Sequence, residues 1–303
     1  MKKNTCKYYV MAIAVSMLAA CGGQTDGGSG SAPESGETPV ADAATADDAA
    51  ADSMLTSVTT VIPFAGQFHS ITNVSDVDIE FREGDYSIEV EGPDYMTDML
   101  RVSVDSDVLT VSQLEEGKSN AFARKMDLRS GVVRVSCPDL RMVAVCGGGN
   151  FRSVGAIHSA SMHVGTLSHA KIQMDTVSVD GTFLYETSND GDAEFRYIDA
   201  RGDATVYASD GGKTTLSVRT LGDFTLNGGA NADVKLRVDA SRVDLLTVGN
   251  CRVDMGLATD SLRVEAFDKS NVKLTWPQEP RNKNIKKGKN AVVTEQINVD
   301  LND

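Results

Sequence analysis

From residue 150 onward the chain repeats itself about every 20 residues, and that period limits its fold more than any other feature. A polar or small corner is followed each time by a short run in which apolar and polar side chains alternate. Asn150 leads into Phe151–Ser153, His169 into Ala170–Met174, Asp192 into Ala193–Tyr197 and Lys213 into Thr214–Val218. Asn231, Asn250 and Asn271 lead into Ala232–Leu236, Cys251–Met255 and Val272–Trp276. These corner residues stand 19, 23, 21, 18, 19 and 21 positions apart. The third residue after each corner is Ser153, Ile172, Phe195, Leu216, Val234, Val253 and Leu274, all apolar but the first. From the second corner onward the fifth is Met174, Tyr197, Val218, Leu236, Met255 and Trp276. Both positions are expected to face inward.

A second strand precedes each corner: 142–146, 161–164, 182–185, 204–208, 223–226, 243–248 and 261–267. Alternation of period two marks strands with one buried face. A repeat of this length cannot bury that face alone, so successive turns must stack and share a continuous interior. The expected fold is therefore all-β, a β-helix-like solenoid with turns of about 20 residues. Gly147–Asn150, Asn189–Gly191, Asp210–Gly212, Gly228–Gly229 and Gly249–Asn250 supply the residue types that tolerate positive φ at tight corners. A β-sandwich with strands every 8–12 residues is the competing architecture. The aligned corners favour the solenoid.

The stretch before the repeats is also strand-like. Val77–Phe81 and Tyr86–Val90 alternate apolar and polar residues about Arg82–Asp85, a pattern that predicts a β-hairpin. Leu100–Val104, Val108–Val111 and Val132–Val135 continue in kind, whereas 115–130 is polar and predicts an exposed loop or short helix. Residues 281–289 carry five basic side chains and no acid, and predict a charged loop before a last strand at Ala291–Val299. That loop could touch anionic lipid or a glycan.

The first 56 residues differ in character. Lys2, Lys3 and Lys7 precede an apolar run, Tyr8–Leu18, which is too short to span a bilayer but has the length of a signal-peptide core. Leu18-Ala19-Ala20-Cys21 follows and resembles the bacterial lipobox, in which the cysteine receives a diacylglycerol and becomes the mature N-terminus. Cys21 is thus the expected lipidation site, carrying several acyl chains (palmitate among them), enough for durable anchoring. No Asp follows Cys21 directly, and by resemblance to known sorting rules this favours the outer membrane. Either face of that membrane is open. Residues 22–56 are rich in Gly, Ser, Ala, Pro and acid, and predict a flexible tether with a reach of roughly 30–35 Å. The expected domains are a signal peptide at 1–20, an anchored linker at 21–56 and the solenoid head at 57–303.

Net charge is −14, with +3 in the first 20 residues and −7 in 21–56, which leaves −10 on the head. An acidic head repels phosphate backbones, so nucleic acid is not an expected partner. Aromatics make up only 6%, a composition poor in stacking platforms. Cys137, Cys146 and Cys251 remain after the targeting segment, an odd number. Buried thiols are expected, although one bridge can form in an oxidising compartment. His158, His163 and His169 lie close in the chain, but no cysteine or carboxylate cluster completes a metal set, and solvated side chains are expected. Asp175, Asp180, Glu194, Arg196, Asp199 and Arg201 fall at outward positions. Adjacent turns could gather such carboxylates around calcium, as in β-helical polysaccharide-cleaving enzymes. Charge pairs between turns would have the same sequence pattern. No nucleophile elbow occurs, and Gly147–Gly149 opens no helix, so it is not a phosphate loop. No catalytic, cofactor or metal residue is assigned.

Val135-Ser136-Cys137-Pro138-Asp139-Leu140, followed by Val143–Asn150, resembles the head GIN domain family of auto-transporter adhesin-like proteins, over roughly 64–276. Leu167-Ser168-His169 departs from the Gly-Ser-Gly corners usual in that family. The resemblance implies a right-handed β-helix-like fold in an envelope protein and no catalytic residues. The leading functional expectation is a lipid-anchored envelope binding protein, an adhesin or accessory subunit, whose solenoid face meets a glycan, another polymer or an envelope protein. The alternatives are a β-helical enzyme acting on polysaccharide and a structural or stress-related envelope component. Unpaired strands at solenoid ends would also allow pairing with a second copy.

Overall fold

The computed structural model describes residues 57–114, 128–167 and 169–297. The signal segment, Cys21, the tether and most of the polar stretch at 115–130 lie outside the described residues. The first strands are β1 (Ser57–Val61), β2 (Ser70–Val74), β3 (Asp78–Glu83) and β4 (Ser87–Pro93). A one-turn helix, α1 (Met96–Met99), precedes β5 (Leu100–Asp105) and β6 (Val108–Gln113). Then come β7 (Val132–Cys137), β8 (Met142–Val145), β9 (Phe151–Ser153) and β10 (Ala156–Ser159). The regular turns are strand pairs: β11 (Met162–Thr166) with β12 (Lys171–Val179), β13 (Phe183–Thr187) with β14 (Asp192–Ala200), β15 (Ala204–Ala208) with β16 (Lys213–Thr220), and β17 (Asp223–Gly228) with β18 (Asp233–Asp239). The last three are β19 (Arg242–Thr247) with β20 (Arg252–Ala258), β21 (Ser261–Ala266) with β22 (Asn271–Trp276), and β23 (Asn282–Lys287) with β24 (Val292–Ile297).

One strand of each turn joins a 13-stranded sheet, here sheet A, and the other joins an 11-stranded sheet, sheet B. The result is a β-solenoid of about seven regular turns of about 21 residues, as the repeat predicts. Turns stack in parallel, so equivalent residues touch. In sheet A, Ile172, Ala193, Thr214, Val234, Val253, Val272 and Val293 form one inward ladder. In sheet B, Val164, Tyr185, Val206, Leu226, Leu245, Val264 and Ile285 form another. Most members are fully buried. Each such aliphatic or aromatic side chain contributes about 1.5–3 kcal/mol.

The corners between β11 and β12, β13 and β14, and their successors are each four residues long, and they follow one rule. In three of them both central residues take left-handed backbone, with φ of 54° and 61° at Asn189 and Asp190, 55° and 87° at Asp210 and Gly211, and 31° and 68° at Ala230 and Asn231. The fourth residue is small and buried: Ala170, Gly191, Gly212, Ala232, Cys251, Ser270 and Ala291. Cys251 therefore serves as one rung of a small-residue ladder.

Several sequence expectations are corrected by the register. The inward ladder containing Ile172 passes through Ala193, Thr214 and Val272, while Phe195, Leu216 and Leu274 belong to the next ladder with Met174, Leu236 and Met255. The sequence alignment had slipped by two residues at those turns and at Ser153. A slip of two preserves the inward face, so alternation alone cannot detect it. Tyr197 points outward, because β14 carries a bulge between Phe195 and Ile198. The predicted hairpin is not formed: β7 lies between β3 and β4, parallel to one and antiparallel to the other. The turn made by β2 and β3 sits between the turn of β6 and β7 and that of β8 and β9. The basic segment 281–289 is not a loop but contains β23, paired with β21.

That insertion explains the Gly147–Gly149 corner. A Cβ on Gly147 would stand 2.2 Å from the Ser75 carbonyl oxygen, and one on Gly149 2.0 Å from that of Val77. Beside it, buried Asn73 accepts from the Ser75 amide at 3.0 Å and hydroxyl at 2.7 Å, and donates to the Val77 carbonyl at 2.8 Å. The two ends of the core are closed differently. Met96 of α1 plugs the first, fully buried against Gly92 and Gly131. At the other end Lys283 and Glu295 occupy inward ladder positions next to Leu262 and Leu274, 2.6 Å apart. Lys283 also bonds Glu279 and lies 5.3 Å over the Trp276 ring. Its hydrogen bonds to the Glu279 and Glu295 carboxylates push its pKa up, so it stays charged. A charged pair in the interior column opposes the addition of a further turn.

Two outcomes are expected from this packing. Asn73→Ala strands the Ser75 amide and the Val77 carbonyl and should lower stability by about 3 kcal/mol, read as a reduced guanidinium midpoint at unchanged slope. Gly149→Ala should act in the same direction. Burial also pushes the Cys137 thiol up to about 12 and the Cys251 thiol up to about 11, from an ordinary 9.0. The folded chain then keeps protons that the unfolded chain loses, so this contribution is complete below pH 9 and fades as pH rises toward the folded values. Both thiols should resist a thiol reagent at pH 8 until denaturant is added.

Candidate functional site

The outward side chains of sheet A form ladders of their own. Lys171, Asp192, Lys213, Asp233 and Arg252 follow one another across successive turns, with signs alternating. Ion pairs bind neighbouring turns together: Arg196 to Asp175 at 3.0 Å, Arg219 to Asp199 at 3.3 Å, Lys171 to Glu194 at 3.7 Å and Lys273 to Asp254 at 3.4 Å. Arg201 meets Asp180 at 3.0 Å at the neighbouring corner. Nearer α1, Glu80 lies between Arg134 and Arg152. Apart from those of the largely buried Glu80, these pairs are exposed, and each exposed pair is worth at most about 1 kcal/mol. Their geometric consequence is larger. Asp175, Asp180, Glu194 and Asp199 each go to a separate cation, so the structure does not gather them into a calcium site.

The histidines are likewise separated. His158 on β10 meets Glu83 at 3.1 Å, His163 on β11 meets Glu186 at 3.4 Å, and the corner residue His169 approaches Asp190 at 4.0 Å. Each has its own carboxylate, and His163 is partly buried rather than fully solvated. Among the described residues no three His, Cys, Asp or Glu side chains converge on a common point. Cys137 and Cys251 are buried free thiols, so no bridge forms within the head's three cysteines.

One part of sheet A departs from this flat surface. Over β16 to β22 the outward positions hold six cations, Lys213, Arg219, Lys235, Arg237, Arg252 and Lys273, against Asp233, Asp239 and Asp254. The excess of positive charge stands out on a chain of net charge −14. Arg237 rises between two small neighbours, Ser217 on β16 and Gly256 on β20. A hollow of about 310 Å³ lies on one side, reaching Lys235, Asp254 and Thr275. A second, of about 500 Å³, is bounded by Tyr197, Arg219, Asp239, Ala258 and Pro277. Both contain Ser217, Arg237 and Gly256, and the second continues through Asp239, Ala258 and Pro277 into a third of about 380 Å³ that ends at Arg281. Together they form an open trough running along the strands. Sequence reasoning missed it because Tyr197 was assigned to the interior, and its one outward signal, an aromatic next to an arginine, is masked by the bulge.

The outer face of sheet B has a different character. From β8 to β17 its outward residues include Met142, His163, Leu184, Glu186, Thr205, Tyr207, Thr225 and Asn227, with Glu186 the one acid between the strand ends.

Comparisons with known proteins bear on the fold. A crystal structure of a putative adhesin from Parabacteroides merdae superposes with a TM-score of 0.61 at 15% identity, covering 80% of this chain and 96% of that one. A putative lipid binding protein from Parabacteroides distasonis gives 0.61 at 13% identity, covering 79% and 96%. A putative adhesin from Bacteroides fragilis gives 0.52 at 14% identity, covering 80% and 97%. At these identities the likeness establishes the shared fold. No curated protein matches the chain. Among the described residues no helix is long and apolar enough to cross a membrane. The family model that matches covers the inserted first turn, the glycine corner and the first regular turns: residues 67–210 of this chain match the family described as "putative auto-transporter adhesin, head GIN domain".

Proposed function

We propose that this chain is a lipid-anchored protein of the cell envelope that binds a polymer or another envelope protein through the outer face of its solenoid, as an adhesin or accessory subunit. The observation that carries the reading is the open trough on the outer face of sheet A. The description of the family and of two of the structural neighbours as adhesins supports the same reading. Leu18-Ala19-Ala20-Cys21 supports the anchor, with Cys21 as the lipid-bearing residue and 22–56 as the spacer that holds the head away from the membrane.

Two measurements test the reading. Metabolic labelling with palmitate should mark the full-length chain and send it to the detergent phase on Triton X-114 separation. Cys21→Ser should abolish both, and retained label would remove the anchor from the account. Protease shaving of intact cells, with a periplasmic protein as control, should strip the head. Full protection of the head alongside that control would overturn the adhesin reading in favour of a periplasmic partner.

A further inference from the structure

Resting on the binding reading above, we propose that the trough over β16 to β22 is a subsite for an acidic polysaccharide in which charged sugars alternate with neutral ones, with Tyr197 and Arg237 as its two principal contacts. Tyr197 owes its position to the bulge. Phe195 is level with Leu216 and Ile198 with Val218, so Arg196 and Tyr197 both face outward where β16 places Ser217 alone. A bulge re-aims side chains and is favoured beside functional sites. Without it the ring would enter the core. With it the phenol stands 37% exposed at the edge of the 500 Å³ hollow.

The floor has the complementary property. Gly256 lies in the middle of β20, where glycine weakens a strand and commonly marks close approach by a ligand or another backbone. With Ser217 it leaves low ground on both sides of Arg237. A hollow of this size falls in the range of ligand sites, about 300–1,000 Å³. Its continuation at both ends suits an extended chain lying along the strands rather than a compact molecule.

The chemistry of the walls selects the class. An amphipathic aromatic ring can cover the apolar face of a pyranose while its hydroxyl stays wet. A guanidinium fork matches a carboxylate in two parallel hydrogen bonds, which an ammonium cannot do. Asp239 and Asp254 interrupt Lys235, Arg237 and Arg219 along the trough, so a polymer with a charge on every unit would meet two acids beside three cations. A chain with a carboxylate on alternate sugars avoids that clash. The same acids and the negative head disfavour the denser charge of nucleic acid.

The test is calorimetric titration of the full-length chain in detergent with hyaluronan octasaccharide, beside maltooctaose (neutral) and an octaguluronate (charged on every sugar). Hyaluronan should bind more than tenfold tighter than either. Tyr197→Ala and Arg237→Ala should each weaken it at least tenfold, as should Gly256→Gln, which fills the hollow. Lys286→Ala, which removes an equal charge from the outward face of β23, should leave it unchanged. Circular dichroism and the melting temperature check that each variant is folded. Equal affinity for all three oligosaccharides, equal loss in Lys286→Ala, or no hyaluronan binding at millimolar concentration would overturn the proposal. The shaving experiment bears on the adhesin reading and this titration on the trough, so either can fail alone.

Discussion

Everything in this head depends on backbone hydrogen bonding between successive turns. A single turn offers two short strands with one apolar face each, too little to offset the entropy of ordering it. Parallel pairing to the turns above and below satisfies the backbone and converts isolated apolar residues into ladders. Two-strand turns also make both outer faces continuous sheets. The same constraint creates two ends with unpaired strands, and the chain handles them differently. Met96 fills the first core opening, and the Lys283–Glu295 pair closes the second with charge.

Stacking also explains why the outer faces differ. A residue on one turn sits beside its equivalents on the next, so charges of opposite sign in alternate turns pair with little loss of side-chain freedom. The Arg196–Asp175, Arg219–Asp199 and Lys273–Asp254 pairs are of this kind. They make the paired part of the face a near-neutral mosaic and give each of these carboxylates its own cation. Where small residues replace one ladder position, at Ser217 and Gly256, the mosaic opens into the trough.

Much of the fold was legible in the chain itself. Alternation identified most strands, because a half-buried strand must repeat every second residue. Gly, Asn and Asp at even intervals located the corners, because a tight turn needs left-handed backbone, found here at Asn189, Asp190 and Asn231. The basic stretch at 281–289 misled, because lysines at outward and end-capping positions of an edge strand resemble those of a loop. The candidate site was less legible, since it arises from five strands whose relative register no local pattern records.

By itself, then, the sequence determined that the head is a stack of short strands with a fixed inward face, for the local reason that side-chain period and corner chemistry are written residue by residue. Only the tertiary structure decided which residues become neighbours. The placement of β7 between β3 and β4 and the two-residue register of the ladders preserve the alternation that a reader of the chain can see, whereas the bulge that turns Tyr197 outward breaks it. The first two differ only in contacts between turns, and it is those contacts that choose among registers of the same inward face.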